Sequence, residues 1–129
     1  VSATHTRPEQ LIDAVGRSAP HAKKRVVRAW KMVLDYLGEE NSHAWKLAIL
    51  QADTLLDEAL RAAGTIGKNT GERLKAIDRT ILPNLDEVWN AHRLRNEIAH
   101  QTELAIDRST AERVIKTYEE AFKHLGLID

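Results

Sequence analysis

SHAWKLAILQADTLLDEALRAAG, residues 42–64, is the stretch on which the fold turns. Its residues Trp45, Ile49, Ala52, Leu56, Leu60 and Ala63 recur at spacings of three and four, the period of a helix with one buried stripe. Asn41 or Ser42 supplies the cap at its start, and Gly64 ends it. A helix with one apolar stripe is stable only when that stripe is covered, so this segment requires other helices with matching faces. Asp53 sits at the edge of the stripe, close to the buried side.

The flanking sequence supplies those helices. From Pro20, the residues Val26, Trp30, Val33 and Leu37, with Leu34 and Tyr36 beside them, predict a helix ended by Gly38. Gly64 to Thr70 reads as a loop, and Glu72 to Asp78 offers one or two helical turns before Pro83. Asn84 followed by Glu87 is a capping pattern directly after a proline, which opens a long helix from Leu85 to about His100. Ser109 and Glu112 repeat the pattern. They open a last helix with Ala111, Val114, Ile115, Tyr118, Ala121, Phe122 and Leu125 on one face, stopped by Gly126. Nothing alternates like a strand for long. Residues 20–129 are therefore expected to form one domain, an all-α antiparallel bundle of four-helix type. Pro8 to Val15, with Leu11, Ile12 and Val15 inward, is too short for more than a marginal helix, so residues 1–19 are expected to be a loosely attached arm.

Composition narrows the chemistry. The 129 residues carry nineteen Lys plus Arg against nineteen Asp plus Glu, a formal charge of zero. That balance removes the polycation signature of an obligate nucleic-acid coat and the acid excess of a disordered tail. With 43% hydrophobic and 29% charged residues the chain has the proportions of a globular domain able to bury a real core. There is no cysteine, which excludes disulfide frameworks, thiolate metal sites and cysteine nucleophiles and is compatible with an intracellular address. No run approaches the roughly 20 apolar residues needed to cross a bilayer.

The chemically suggestive segment is WNAHRLRNEIAH, residues 89–100. At about 100° per residue, Asp86, Asn90, Arg93 and Glu97 share a polar arc, while Val88, Ala91, Leu94, Ile98 and Ala99 spread across the opposite side. Arg95 falls among those apolar residues. A guanidinium cannot shed its charge, so Arg95 requires a carboxylate, a phosphate or a subunit interface. His92, Asn96 and His100, each four apart, form a polar stripe along the border of the same face, able to work on one ligand. The plainer reading is a structural Arg95 paired with a carboxylate of another helix and a terminal histidine favoured by the helix dipole. No metal site is expected: His92 and His100 stand about 12 Å apart along the axis at 1.5 Å per residue, too far to ligate one ion.

Arg95-Asn96-Glu97-Ile98-Ala99-His100 resembles the motif of the HEPN superfamily, an Arg followed after four to six residues by His, with a polar residue, often Asn, after the Arg. The placement is also similar: the end of a long helix in a small bundle, before a loop and a final amphipathic helix. Arg93 lies within the permitted spacing as well, but it points with the solvent-facing residues, so Arg95 is the candidate. A closer similarity covers about residues 26–128. Residues 41–53, Gly71 to Lys75, Trp89 to His92, Arg95-Asn96, Ile98 to His100, Tyr118-Glu119 and Phe122 resemble an uncharacterised bacterial family whose members carry an N-terminal membrane segment before a soluble helical domain. That likeness implies a cytoplasmic domain whose membrane tether lies outside this chain, which begins at Val1.

The HEPN resemblance implies RNA binding, or metal-independent RNA cleavage, at a homodimer interface where two motifs face one cleft, with no cofactor. His100 would move a proton to or from ribose oxygens, its ordinary pKa lying near 6.5. Arg95 would hold the scissile phosphate, Asn96 would position either group, and His92 would contact substrate. The resemblance also implies a supporting carboxylate from an earlier helix, for which Asp53 is the candidate. Whether Asp53 serves catalysis or only neutralises Arg95, the two are expected to touch.

Between Ala14 and Leu34 there is no acidic residue, whereas Arg17, Lys23, Lys24, Arg25, Arg28 and Lys31 are present. Lys24, Arg28 and Lys31 share the face opposite Val26, Trp30 and Val33, where they would grip RNA phosphates, form a solvated face, or meet an anionic leaflet next to a membrane tether. Trp30, Trp45 and Trp89 stand at core spacing and are read as packing residues. The alternative to an RNA-directed domain is a non-catalytic interaction or scaffolding module of a membrane-anchored protein, its motif serving as a structural and dimer-forming network.

Overall fold

The computed structural model describes residues 19–129, and these are all-helical. The helices are α1 (Ala19–Leu37), α2 (Ser42–Ala62), α3 (Thr70–Lys75), α4 (Leu85–His100) and α5 (Arg108–His124). The expected arm, with its Pro8–Val15 helix and Arg17, lies outside the described residues, apart from Ala19, which already belongs to α1. Among the described residues no helix is long and apolar enough to cross a membrane.

Local chemistry sets the boundaries. The Asn41 side chain accepts the Ala44 N–H at 2.8 Å and opens α2 as a cap. At the other end Gly64 adopts φ +86°, letting its N–H reach the Arg61 carbonyl and that of Thr65 reach Leu60. Gly126, at φ +74°, closes α5 the same way, with Leu127 donating to the Phe122 carbonyl. α2 thus stops at Ala62, two residues before the expected glycine. The short helix falls earlier than expected, from Thr70, because Asn69 caps it by accepting from Glu72.

Two other caps differ from expectation. Asn84 does not cap α4; its side-chain amide donates instead to the Thr117 carbonyl of α5, tying the two helices together. Ser109 does not open α5 either. Asp107 does, its carboxylate accepting from Thr110 at 2.8 Å, so that the helix starts at Arg108.

α2 is the centre of the bundle, packing on α1, α3, α4 and α5. Its Ile49, Leu56 and Leu60 meet Val26, Trp30 and Val33 of α1, Val88 and Ile98 of α4, and Val114, Ile115 and Phe122 of α5 in one continuous core. Trp30 and Phe122 join α1 to α5 edge to face, with ring centroids 5.5 Å apart. Leu34, expected beside the core stripe, is instead exposed, as are Val27 and Met32 on the same helix. Ile77, Ile81 and Leu82 are buried between α3 and α4, so the connection there is part of the core.

Candidate functional site

Asp53 is the hub of the polar site. It faces inward from the middle of α2 and is only 2% exposed. An ionised carboxylate at that depth needs several compensating donors. Tyr118 of α5 donates its hydroxyl to Oδ2 at 2.7 Å, and His92 Nδ1 of α4 stands 3.0 Å from the same oxygen. Arg95 Nε lies 3.8 Å from Oδ1, an ion pair beyond hydrogen-bond reach. The expected contact of Asp53 with Arg95 is therefore present, but His92 holds the closer position.

The rest of the Arg95 guanidinium points outward. Nη1 donates to the Asn96 side-chain oxygen at 3.0 Å, and the side chain is 35% exposed. His92, Arg95 and Asn96 line one wall of an open cavity of about 740 Å³. The opposite wall is the segment from Lys68 to Glu72 at the start of α3, and Lys75, Trp89 and Arg93 complete it. Lys68, Lys75, Arg93 and Arg95 bring four positive charges, whereas the acidic lining residues are engaged: Asp57 accepts from Arg73 at 2.7 Å and Glu72 accepts the Lys68 N–H. The arrangement suits an anion with hydrogen-bond acceptors, such as a phosphodiester.

Among the expected site residues, Asp53, His92, Arg95 and Asn96 come together. His100 does not join them. It is exposed at the last position of α4, outside the cavity wall. Arg93 is exposed as expected, yet it also lines the cavity beside Arg95, lying 5.7 Å over the Trp89 ring and donating to Asn90. Trp30 is a core residue, but Trp89 is half-buried, lines the cavity and meets His92 edge to face at 6.2 Å. Trp45 is likewise half-buried; its indole donates to the Glu39 carbonyl and Arg108 lies over its ring. Lys24, Arg28 and Lys31 are exposed around Val27 on the outer face of α1, separate from the cavity. Among the described residues no three metal-ligating side chains cluster.

Two participants escape sequence reasoning. Tyr118 looks like packing because it lies on an apolar stripe, although a buried phenol needs a partner for its hydroxyl and so calls for one. Arg73 is buried and paired with Asp57, a contact made only when the loop after α2 folds back. Burial, followed by the charge and hydrogen bond of Asp53, pushes the Tyr118 hydroxyl well above the ordinary 10.0. The folded chain thus holds the proton that the unfolded chain releases, so this contribution is whole below pH 10.0 and is lost as pH rises above it. Urea midpoints measured on both sides of that pH are expected to fall more steeply for the wild type than for Tyr118→Phe; parallel slopes would contradict a phenol held protonated by burial beside Asp53. No family model, curated protein or solved structure matches the chain.

Proposed function

We propose that the chain is an HEPN-type RNA-directed domain that acts as a homodimer, gripping RNA phosphates in the cavity beside α4 and cleaving the strand without a metal ion or cofactor. The observation that supports this most is the convergence of His92, Arg95 and Asn96 on an open, cation-lined cavity, with Arg95 braced from behind by the buried Asp53. Arg95 binds the phosphate and stabilises the charge that builds on it in the transition state. Asn96 keeps the guanidinium oriented. His100, solvent-reachable at the end of the same helix, exchanges a proton with a ribose oxygen where a second copy closes the cleft. Lys24, Arg28 and Lys31 extend the grip along the strand and make it salt-dependent. The domain belongs in the cytoplasm, attached to a membrane through a segment outside this chain.

A second reading has one observation of its own. His92 and Arg95 already meet a carboxylate of their own chain, which is what a purely structural network in an interaction module would require. Single-stranded RNA of mixed sequence, incubated in EDTA with wild type and with His100→Ala, separates the two. Cyclic-phosphate ends that fall at least about 100-fold in a folded, dimeric His100→Ala support the nuclease. A folded wild-type dimer that neither cleaves nor binds the RNA would leave the interaction module.

A further inference from the structure

The Asp53 contact fixes which nitrogen of the His92 ring carries a hydrogen in its neutral form. A carboxylate oxygen only accepts, so the ring nitrogen 3.0 Å from Oδ2 must carry the hydrogen. Nδ1 is then the donor, and Nε2 of the neutral ring keeps its lone pair. The acceptor itself is held still: Tyr118 donates to the same oxygen, and the Asp53 side chain is 3% exposed. Trp89 packs against the ring edge, and the imidazole is only 12% exposed, which restrains its rotation.

Nε2 faces the other way, toward the start of α3. A Cβ built on Gly71 would stand 3.7 Å from it, at van der Waals contact, so Nε2 lies beside Gly71 on the wall of the cavity that both residues line. One turn along the same face lie Asn96 and the Arg95 guanidinium, and a further turn on lies His100. His100 stands about 12 Å farther along the axis and outside the cavity wall, too far to reach the same phosphorus as His92 of its own chain. In-line displacement at phosphorus needs a proton acceptor at the entering oxygen and a donor at the leaving one, so His92 fills the first place and the second falls to a group from the facing copy.

We infer that His92, oriented by Asp53, is the general base of the site, a role that rests on the RNA-cleaving reading above. Nε2 takes the proton of a ribose 2′-hydroxyl while that oxygen bonds to the adjacent phosphorus. The bond from phosphorus to the 5′-oxygen breaks, and the departing oxygen takes a proton from the His100 imidazolium that a second copy brings to the cleft. The products are a 2′,3′-cyclic phosphate and a 5′-hydroxyl. Water then removes the proton from His92 and returns one to His100. Asp53 is a positioning residue, since it touches His92 and not the RNA.

Two measurements test the assignment. Cyclic-phosphate formation on single-stranded RNA is compared for wild type, His92→Ala, His92→Gln and His100→Ala. The glutamine variant keeps an N–H donor for Asp53, and so the fold, while lacking a basic nitrogen. Proton–nitrogen correlation spectra of the imidazoles in wild type and Asp53→Asn read the tautomer independently of activity. The expected result is at least about a 100-fold loss of rate in His92→Gln with RNA binding retained, and an Nδ1–H tautomer that becomes mixed in Asp53→Asn. Cleavage by His92→Gln at the wild-type rate, or an Nε2–H tautomer in the wild type, overturns the role of His92 and leaves the nuclease standing. Absence of cleavage by the folded wild type overturns both.

Discussion

Phe122→Ala is expected to destabilise the protein by about 4 kcal/mol, a large share of the 5–15 kcal/mol typical of a domain. The ring has no exposed surface, and it sits in the last turn of α5 where the Gly126 stop folds Leu127 back over the helix end. Removing it deletes the buried aromatic area, the edge-to-face contact with Trp30, and the wedge between α1 and α5. Trp30 worsens the loss. Its indole N–H is buried without an acceptor, so a loosened Trp30 gains by turning toward water. α1 otherwise packs mainly on α2, and its amides are expected to exchange faster than those of α4 when Phe122 is truncated. Phe122→Leu fills most of the volume and is expected to cost less than about 1.5 kcal/mol. Urea midpoints and hydrogen exchange check both; an alanine variant within about 1 kcal/mol of wild type would mean that α1 is held by something other than this wedge.

The long helices were legible because their apolar spacing is a property of the chain itself. α2 and α4 follow from that period. Caps were less legible, because Asp, Asn, Ser and Thr compete at neighbouring positions and tertiary contacts choose among them. At α5, Asp107 stands two residues before Ser109 and a carboxylate beside the helix N-terminus is the stronger acceptor; the Thr110 N–H and the Thr110 and Ser109 side chains hold its acid below the usual carboxylate range. At α4, Asn84 was drawn off by Thr117, which no local pattern encodes. The site divides in the same way. Arg95 stood out because a fixed charge fell on an apolar arc, and Asp53 because it bordered the stripe that must cover that arc. The share that His92 takes of Asp53, and the wall from Lys68 to Glu72, depend on how the loop after α2 returns. Spacing within one helix carries no information about that path.

Asp53→Ala is expected to cost about 3 kcal/mol, and most of that penalty comes from what is left behind. Tyr118 loses its acceptor while its hydroxyl stays in the core, and an orphaned buried donor costs about 1–3 kcal/mol. Arg95 loses its only nearby carboxylate among the described residues, but it is partly exposed and can turn into the cavity, which limits its share. The origin of the cost can be isolated. Tyr118→Phe alone removes a satisfied hydroxyl and is expected to cost about 1 kcal/mol, whereas Asp53→Ala in the Tyr118→Phe background leaves no orphaned phenol. The double variant is therefore expected to be more stable than the sum of the single losses by at least about 1 kcal/mol, read from urea unfolding of all four proteins. Strict additivity would mean that the hydroxyl finds water in the single variant and that the network is looser than its distances imply. Coupling of the expected sign ties stability to chemistry, because the carboxylate that satisfies the core phenol is the one that fixes the His92 proton. A substitution at Asp53 then releases the orientation of His92 together with the packing beneath it.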